Sequence, residues 1–337
     1  MRKVRYAVIG VGWFGERHCQ ALAGLPTAEL VALCDVDPTR LEQMGRQFGV
    51  RALYADYAAL LAESSLDAVS VVTMIEQHAA PTIAALQAGK HVFLEKPMAA
   101  SMADCHAIVE SARASDRFLM VGHICRFNPR FAAAKRDIAA GTVGKIVSIY
   151  ARRNVISAIG RASLDNIGPI IGNAVHDTDL MLWFSGAAIR TAYARTTSTF
   201  GMRHADVGWT MYEFDSGAIG VCENVWCLPD SSGFLIQERM EIIGTEGVIY
   251  LHEAAPPYAL VDRDGWHMPD TTYWPEVKPG MLGGALAAEL GYFVDCIQRG
   301  APPGIITPEE AMAAVQACLA AEASAANGSA VYVPEFN

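Results

Sequence analysis

Two periodicities run along this chain, and the change from one to the other falls near residue 123. Before it, short apolar runs alternate with helix-compatible stretches. "RYAVIG", "ELVALCDVDP", "LDAVSVVTM", "HVFLEKP" and "FLMVGH" read as buried strands, and "QHAAPTIAALQAGK" and "ADCHAIVESARASDR" as helices between them. Unbroken apolar runs alternating with helices predict a doubly wound parallel sheet. Beyond residue 123, "KIVSIYARRN", "IRTAYARTTST", "VGWTMYEFD", "GAIGVCENVWCL", "RMEIIGTEG" and "GVIYLHE" partly alternate apolar with polar positions, with "FDSG" and "GTEG" as turn signals. That pattern predicts a mostly antiparallel sheet with one face buried and the other at an interface or in solvent. Two domains are expected, 1–122 and 123–337. Residues 253–280, rich in Pro, Asp and aromatics, read as loops and edge pieces. Two helices close the chain, the second opened by a capping box, Thr307 with Glu310.

Bulk properties narrow the function. With 337 residues and 52% apolar content, and no stretch able to span a bilayer, a soluble protein with a large core is expected. A formal charge of -10 argues against nucleic acid and anionic membrane surfaces. The eight cysteines form no CxxC pair and sit mostly in apolar runs, which suggests free thiols in a reducing compartment. The N-terminal apolar run is short, broken by glycines and without a cleavage site, so it reads as a first strand and the location as cytoplasmic.

Chemistry enters with Gly10, Gly12 and Gly15, a GxGxxG between a strand and a helix. Gly10 allows the tight turn, Gly12 lets backbone approach a pyrophosphate, and Gly15 lets helix pack on strand. The helix N-terminus then faces the phosphates, as in a Rossmann dinucleotide fold. Asp35, twenty residues beyond Gly15, suits the ribose hydroxyls and repels a 2′-phosphate, which favours NAD over NADP. Arg40 leaves the phosphate option open, and a helix N-cap is the alternative role for Asp35. Ligands bind at the carboxyl ends of such strands. That places Thr73, Met74, Glu95, Lys96 and Pro97 at the crevice rim, and Trp13, Phe14 and His78 complete the cofactor candidates.

"GVGWFG", "CDVDP", "HVFLEKP" and "VGHICRFNP" together resemble the Gfo/Idh/MocA family, the glucose–fructose oxidoreductase and inositol dehydrogenase family of NAD(P)-dependent sugar oxidoreductases. The resemblance covers nearly the whole chain. It implies a nucleotide-binding domain followed by a domain built on a large open antiparallel sheet, with the late helices packed near the nucleotide domain. It also implies dimers or tetramers formed through the open sheet face.

Oxidising a secondary alcohol with NAD sends hydride to the nicotinamide and a proton to the protein. A histidine suits the proton step, and a lysine suits a developing alkoxide. The resemblance assigns those roles to His176, in "GPIIGNAVHDTDLM", and to Lys96 in the EKP motif. Their alternatives are a satisfied core histidine and a solvated loop lysine. Many relatives carry an aspartate four residues before the histidine; here Gly172 stands there, with Asn173 or Asp179 as substitutes. A substrate preference unlike that of plain inositol dehydrogenases is therefore expected. His123, Arg126, Arg153, Asn154 and Asn173 are the further substrate-binding candidates. Trp226, Trp266, Tyr273 and Trp274 suit either stacking on a sugar face or packing. His204, His252 and His267 lack ligand spacing, so no metal is expected, and no GxSxG or nucleophilic triad is visible. The leading function is an NAD-dependent dehydrogenase of a cyclic polyol, sugar or sugar derivative. Glycoside cleavage through transient sugar oxidation and a non-catalytic NAD-binding regulator are the alternatives.

Overall fold

The computed structural model describes residues 2–63, 65–252, 258–263, 265–268 and 270–334. The chain divides into two units: Met1–Asn128 with Thr272–Met312, and Pro129–Thr271 with Ala313–Asn337.

In the first unit β1 (Val4–Ile9), β2 (Ala28–Cys34), β3 (Ala52–Tyr54), β4 (Ala68–Val71), β5 (His91–Glu95) and β6 (Leu119–Gly122) form one sheet in the order β3-β2-β1-β4-β5-β6. Every pairing is parallel. All residues of β4, β5 and β6 are buried, which is why these strands read as unbroken apolar runs. The order reverses between β1 and β4, so a ligand crevice is expected at their carboxyl ends. The helix Trp13–Gly24 follows β1. Asp37 caps the helix Pro38–Phe48 by accepting from Thr39 N at 2.9 Å, and Gly49 ends it at φ 68°. Residues 272–312 fall with this unit, so the second unit is not the unbroken 123–337 segment that the change of pattern outlines. The reason is the helix Gly284–Arg299, whose apolar face packs on Trp13–Gly24 and brings Phe293 to 5.8 Å from the Phe93 ring of β5.

The second unit holds β7 (Ile146–Val155), β8 (Ile189–Thr197), β9 (Val207–Phe214), β10 (Ile219–Val225), β11 (Ile236–Gly244) and β12 (Val248–His252). With Val331–Tyr332 at the edge they make a seven-stranded sheet, β12-β11-β7-β10-β9-β8 and then that short strand. Only the β7–β10 pairing is parallel among these strands. The expected α/β fold, a parallel doubly wound sheet followed by a large, mostly antiparallel one, is thus present. Alternation is cleanest in β9, where Gly208, Thr210, Tyr212 and Phe214 are buried and Trp209, Met211 and Glu213 are exposed. The inner face is covered by the helix Val175–Ser185; a Cβ on Gly220 would lie 2.8 Å from Met181 Sδ. A π-helical turn, Ile170–Ala174, leads into that helix. The region read as loops and edge pieces contains short hairpins, Leu260–Asp262 with Gly265–His267 and Glu276–Lys278 with Met281–Leu282. The Trp266 side chain lies outside the described residues.

Candidate active site

The glycine loop is built as its spacing requires. Gly10 sits at φ +87°, and a Cβ there would meet Val72 O at 2.5 Å. A Cβ on Gly15 would lie 2.0 Å from Gly10 O, so helix and strand approach through that glycine. A Cβ on Gly12 would meet nothing within 4 Å. No side chain caps the helix at Gly12, which leaves its first-turn N–H groups for an anion. Asp35 braces the loop from β2: one carboxylate oxygen accepts from Val11 N at 2.7 Å and the other from Asp37 N at 2.9 Å. It is not the helix N-cap, because Asp37 is. Arg40 donates to Val11 O at 2.8 Å, to Gly12 O at 3.2 Å and to Glu16 at 2.7 Å, so its guanidinium is occupied in holding the loop. Burial works to raise the Glu16 pKa, but hydrogen bonds from Arg40 and Gln47 and the Arg40 charge bring it below its ordinary value. Trp13 is 58% exposed, lies under the Arg17 guanidinium at 3.5 Å, and meets the Trp274 edge at 6.0 Å; Phe14 meets Trp274 at 5.6 Å. These residues fit a dinucleotide: an open glycine turn, free helix N–H groups and an acidic strand end.

The rim residues divide. Met74 is half exposed, while Thr73 gives its carbonyl to His78. His78 is buried, with Nδ1 2.8 Å from Pro97 O and Nε2 3.0 Å from Thr73 O. Burial pulls the pKa of His78 down, against the hydrogen bonds to Pro97 and Thr73. It therefore ties two rim loops together and does not face a ligand itself. Glu95 is also turned inward, towards His18 at 2.9 Å and the Lys96 N–H at 3.1 Å. Lys96 follows at the carboxyl end of β5, partly exposed. His123 is buried just beyond β6. Arg126 is spent inside the unit: it donates to Ile305 O at 2.7 Å and pairs with Glu310 at 3.1 Å, which makes it a strut between the chain after β6 and the last helix. Tyr273 is buried against Cys125, and Trp274 packs in the Trp13–Phe14 cluster, so both serve packing.

In the second unit, His176 is 8% exposed in the first turn of the helix Val175–Ser185. Asp177 beside it is fully buried and takes Arg153 at 2.9 Å. Arg153 also reaches Glu238 across the β7–β11 pair at 2.6 Å, and Arg130 meets the same carboxylate at 3.0 Å. Burial raises the Asp177 pKa, with Arg153 pulling against it. Arg153 is therefore half of a buried charge network beneath the helix. Asn154 points to the opposite sheet face, as alternation demands. Its amide donates to Glu223 at 2.9 Å and to Gln237 at 3.2 Å, and its carbonyl oxygen accepts from Val225 N at 2.8 Å. Alternation thus separates this pair, and neither side chain is left for a sugar hydroxyl.

The Trp226 indole fills the place beside Gly172. A Cβ there would lie 2.7 Å from Trp226 Cη2 and 3.0 Å from Cζ2. With the Asn173 amide oriented to satisfy both groups, its oxygen accepts from Trp226 Nε1 at 3.1 Å and its nitrogen donates to Gly172 O at 3.2 Å. Trp226 is buried with Val155 and Leu164, and Ile159, Ile167, Phe200, Met202 and Ile236 pack around it. Asn173 thus fastens the indole and leaves no amide for substrate, and Asp179 is fully buried.

Comparison with known proteins decides the family. The model described as "Oxidoreductase family, NAD-binding Rossmann fold" matches residues 4–123, and that of the "GFO/IDH/MocA C-terminal domain" matches residues 131–250. A scyllo-inositol 2-dehydrogenase (NAD(+)) of Bacillus subtilis (strain 168) is 30% identical over 98% of this chain and 96% of its own length. The chain belongs to the Gfo/Idh/MocA oxidoreductase family. A D-apiose dehydrogenase of Paraburkholderia graminis is 25% identical over 90% of this chain and 83% of its own. The fold matches that of a scyllo-inositol dehydrogenase from Lactobacillus casei with bound NAD(H) and scyllo-inositol, at a TM-score of 0.85, 22% identity and 98% and 99% coverage of the two chains. At that identity the likeness concerns fold alone.

Site-building residues absent from the sequence reading are His18, Glu238 and Trp226 in its role at Gly172. His18 carries a signal: it lies three residues beyond Gly15 on the buried face that also holds Cys19 and Leu22. A histidine on an apolar face needs a polar partner. Glu238 and Trp226 become neighbours of the helix only through sheet pairing, which no local pattern encodes.

Proposed function

We propose that this protein is an NAD-dependent dehydrogenase acting on a secondary alcohol of a cyclic polyol, sugar or sugar derivative. His176 serves as the general acid/base, and Lys96 as the cation that orients the hydroxyl. The observation carrying this reading is the placement of Lys96 at the carboxyl end of β5, in the same unit as the glycine turn and with anchored backbone on either side. The relatives active on scyllo-inositol and D-apiose give the substrate class. NAD, when bound, supplies the hydride acceptor. Gly10, Gly12 and Gly15 with the helix N-terminus would hold its pyrophosphate, and Asp35 its ribose. The Lys96 ammonium stabilises charge as the hydroxyl ionises, and the His176 imidazole takes the proton.

Where a side chain at 172 would project, the buried Trp226 indole already fills the space. An indole takes no proton and accepts no hydroxyl hydrogen bond in its plane. With no carboxylate at 172, substrate preference is expected to differ from that of plain inositol dehydrogenases. The test is NADH formation by the purified protein with a panel of inositols, pentoses and deoxy or amino sugars. Lys96→Ala and His176→Ala should each lower kcat by about 10²–10⁴-fold and leave NAD binding intact. Turnover within twofold of wild type in either variant removes that residue from its role, and NAD binding with no turnover on any compound sinks the dehydrogenase reading. Product formed with catalytic NAD and no net NADH would mark transient oxidation instead.

The outer face of the seven-stranded sheet exposes Trp209 (45%), Met211 (47%), Ile219 (46%) and Tyr250 (62%). Large apolar side chains on one face suit burial against a second copy, and a dimer or tetramer through this face is part of the proposal. No helix among the described residues is long and apolar enough to cross a membrane.

A further inference from the structure

The Lys96 backbone is gripped on both sides by buried imidazoles. On the N-terminal side, His18 is fully buried, and its ring meets those of Phe14 and Phe93 edge-on, each at 5.4 Å. These contacts fix the ring plane. Its Nε2 lies 2.9 Å from Glu95 Oε1, and its Nδ1 lies 3.1 Å from Ser70 Oγ, itself 3.2 Å from the Tyr6 hydroxyl. The second carboxylate oxygen, Glu95 Oε2, accepts the Lys96 N–H at 3.1 Å. On the C-terminal side, the His78 ring bridges Pro97 O and Thr73 O.

Glu95 is 6% exposed, and a buried carboxylate must be paired to be tolerated. Were its only task to fill space, an apolar side chain would do as well. Its two oxygens instead join a ring on the helix Trp13–Gly24 to the peptide of the lysine, and the chain of polar contacts continues to Ser70 on β4 and Tyr6 on β1. Helix, two central strands and the Lys96 peptide are thereby fixed to one another.

We propose that His18 is a positioning residue: through Glu95 it fixes the Lys96 peptide, and so sets where the lysine ammonium stands. The proposal rests on the reading of Lys96 as the hydroxyl-orienting cation. A shift of about 1 Å in such a group costs up to about 10²-fold in rate, and little in nucleotide affinity, because His18 is fully buried and its ring nitrogens are turned to Ser70 and Glu95.

The experiment compares His18→Phe, which keeps the ring volume and removes both nitrogens, with His18→Gln, which keeps an N–H for Glu95. Both are studied as the NAD-loaded full chain, with scyllo-inositol as the substrate probe. Amide hydrogen exchange of the peptide spanning Glu95–Met98, read by mass spectrometry, reports the Lys96 N–H directly and needs no turnover. The expected result for His18→Phe is exchange at least tenfold faster in that peptide, kcat lowered about 10–100-fold, and KM and the NAD dissociation constant within about threefold of wild type. His18→Gln should recover most of both losses. Unchanged exchange in a folded His18→Phe, or faster exchange with unchanged kcat, overturns the proposal. If His18→Phe fails to fold, Glu95→Gln, which keeps the volume, replaces one acceptor oxygen by an NH2 donor and leaves the other a weaker acceptor, is held to the same two criteria. Normal kcat in Lys96→Ala would overturn the parent reading instead, while the exchange measurement would still judge whether His18 fixes the loop.

Discussion

Adding a single methyl group at Gly172 tests the description of the site's most unusual feature. Carbon atoms pack best at about 3.5–4.0 Å, whereas the new Cβ would stand 2.7 Å from Trp226 Cη2 and 3.0 Å from Cζ2. The indole cannot easily retreat: it is 4% exposed, enclosed by Val155, Leu164 and their neighbours, and held at Nε1 by Asn173. Overpacking of this kind costs about 1–3 kcal/mol. Alanine in place of glycine in a helical segment returns about 1 kcal/mol. The clash wins, so Gly172→Ala is expected to destabilise by about 1 kcal/mol, lowering the unfolding midpoint by about 2–4 °C. In a Trp226→Phe background the shorter ring no longer reaches the site and the helix term prevails, so the same substitution should stabilise by about 0.5–1 kcal/mol. Calorimetric or fluorescence-detected unfolding of the four proteins gives the double-mutant cycle. The reversal of sign is the diagnostic result. If Gly172→Ala raises the midpoint equally in both backgrounds, the indole does not lie against the residue-172 backbone, and the account of the filled carboxylate position is wrong.

Three further perturbations have defined outcomes. Arg153→Ala strands the buried carboxylate of Asp177 and removes one partner of Glu238; it should destabilise by about 3–5 kcal/mol near neutral pH in urea unfolding. Part of that loss should return on acidification, because burial already favours the protonated Asp177 carboxyl. Burial and the Arg117 charge push the His91 pKa from 6.5 to about 4, and its Nδ1 accepts from Phe118 N at 3.0 Å. The folded ring therefore stays neutral while the unfolded one gains a proton. His91 should subtract stability as pH falls from about 6.5 towards about 4 and contribute no slope above that window; His91→Asn should flatten this part of a stability–pH curve. Asp35→Ala removes the acceptor for Val11 N and Asp37 N, and should weaken NAD binding at least tenfold in a titration and narrow the preference over NADP.

The parallel sheet was legible because burial on both faces leaves strands no freedom of composition. β4, β5 and β6 are buried at every residue and appear in the sequence as unbroken apolar runs bounded by loop signals. β9 was legible for the opposite reason, since one wet face and one dry face impose a period of two. What escaped was short or non-periodic. β3 has three residues, too few to show a period. The turn Ile170–Ala174 departs from regular helix spacing just before His176. The return of Gly284–Arg299 to the first unit is implied by the family resemblance and not by the helix's own pattern, because an amphipathic helix states that it will be covered and not by what.

The same reasoning separates the parts of the site that local pattern can reach from those that it cannot. The glycine turn, Asp35 and the EKP lysine depend on backbone geometry within a few residues, and spacing carries that information. Arg153 and Asn154, both substrate-binding candidates, are adjacent in sequence, but their side chains are not adjacent in space. On a strand, neighbours point to opposite faces; one therefore joined the charges under the helix and the other the polar row on the outer face. Glu95, His78 and Arg126 stand where a ligand would be sought, and each turns inward to a partner far along the chain: His18, Pro97 and Glu310. A polar residue at a crevice rim has two ways to satisfy its hydrogen bonds, ligand or scaffold, and sequence alone cannot choose between them. Burial can: a side chain below about a tenth exposed with both ends hydrogen-bonded has nothing left to offer a substrate. By that criterion His78 and Glu95 belong to the scaffold of the rim, whereas Thr73, Met74 and Lys96 are not buried.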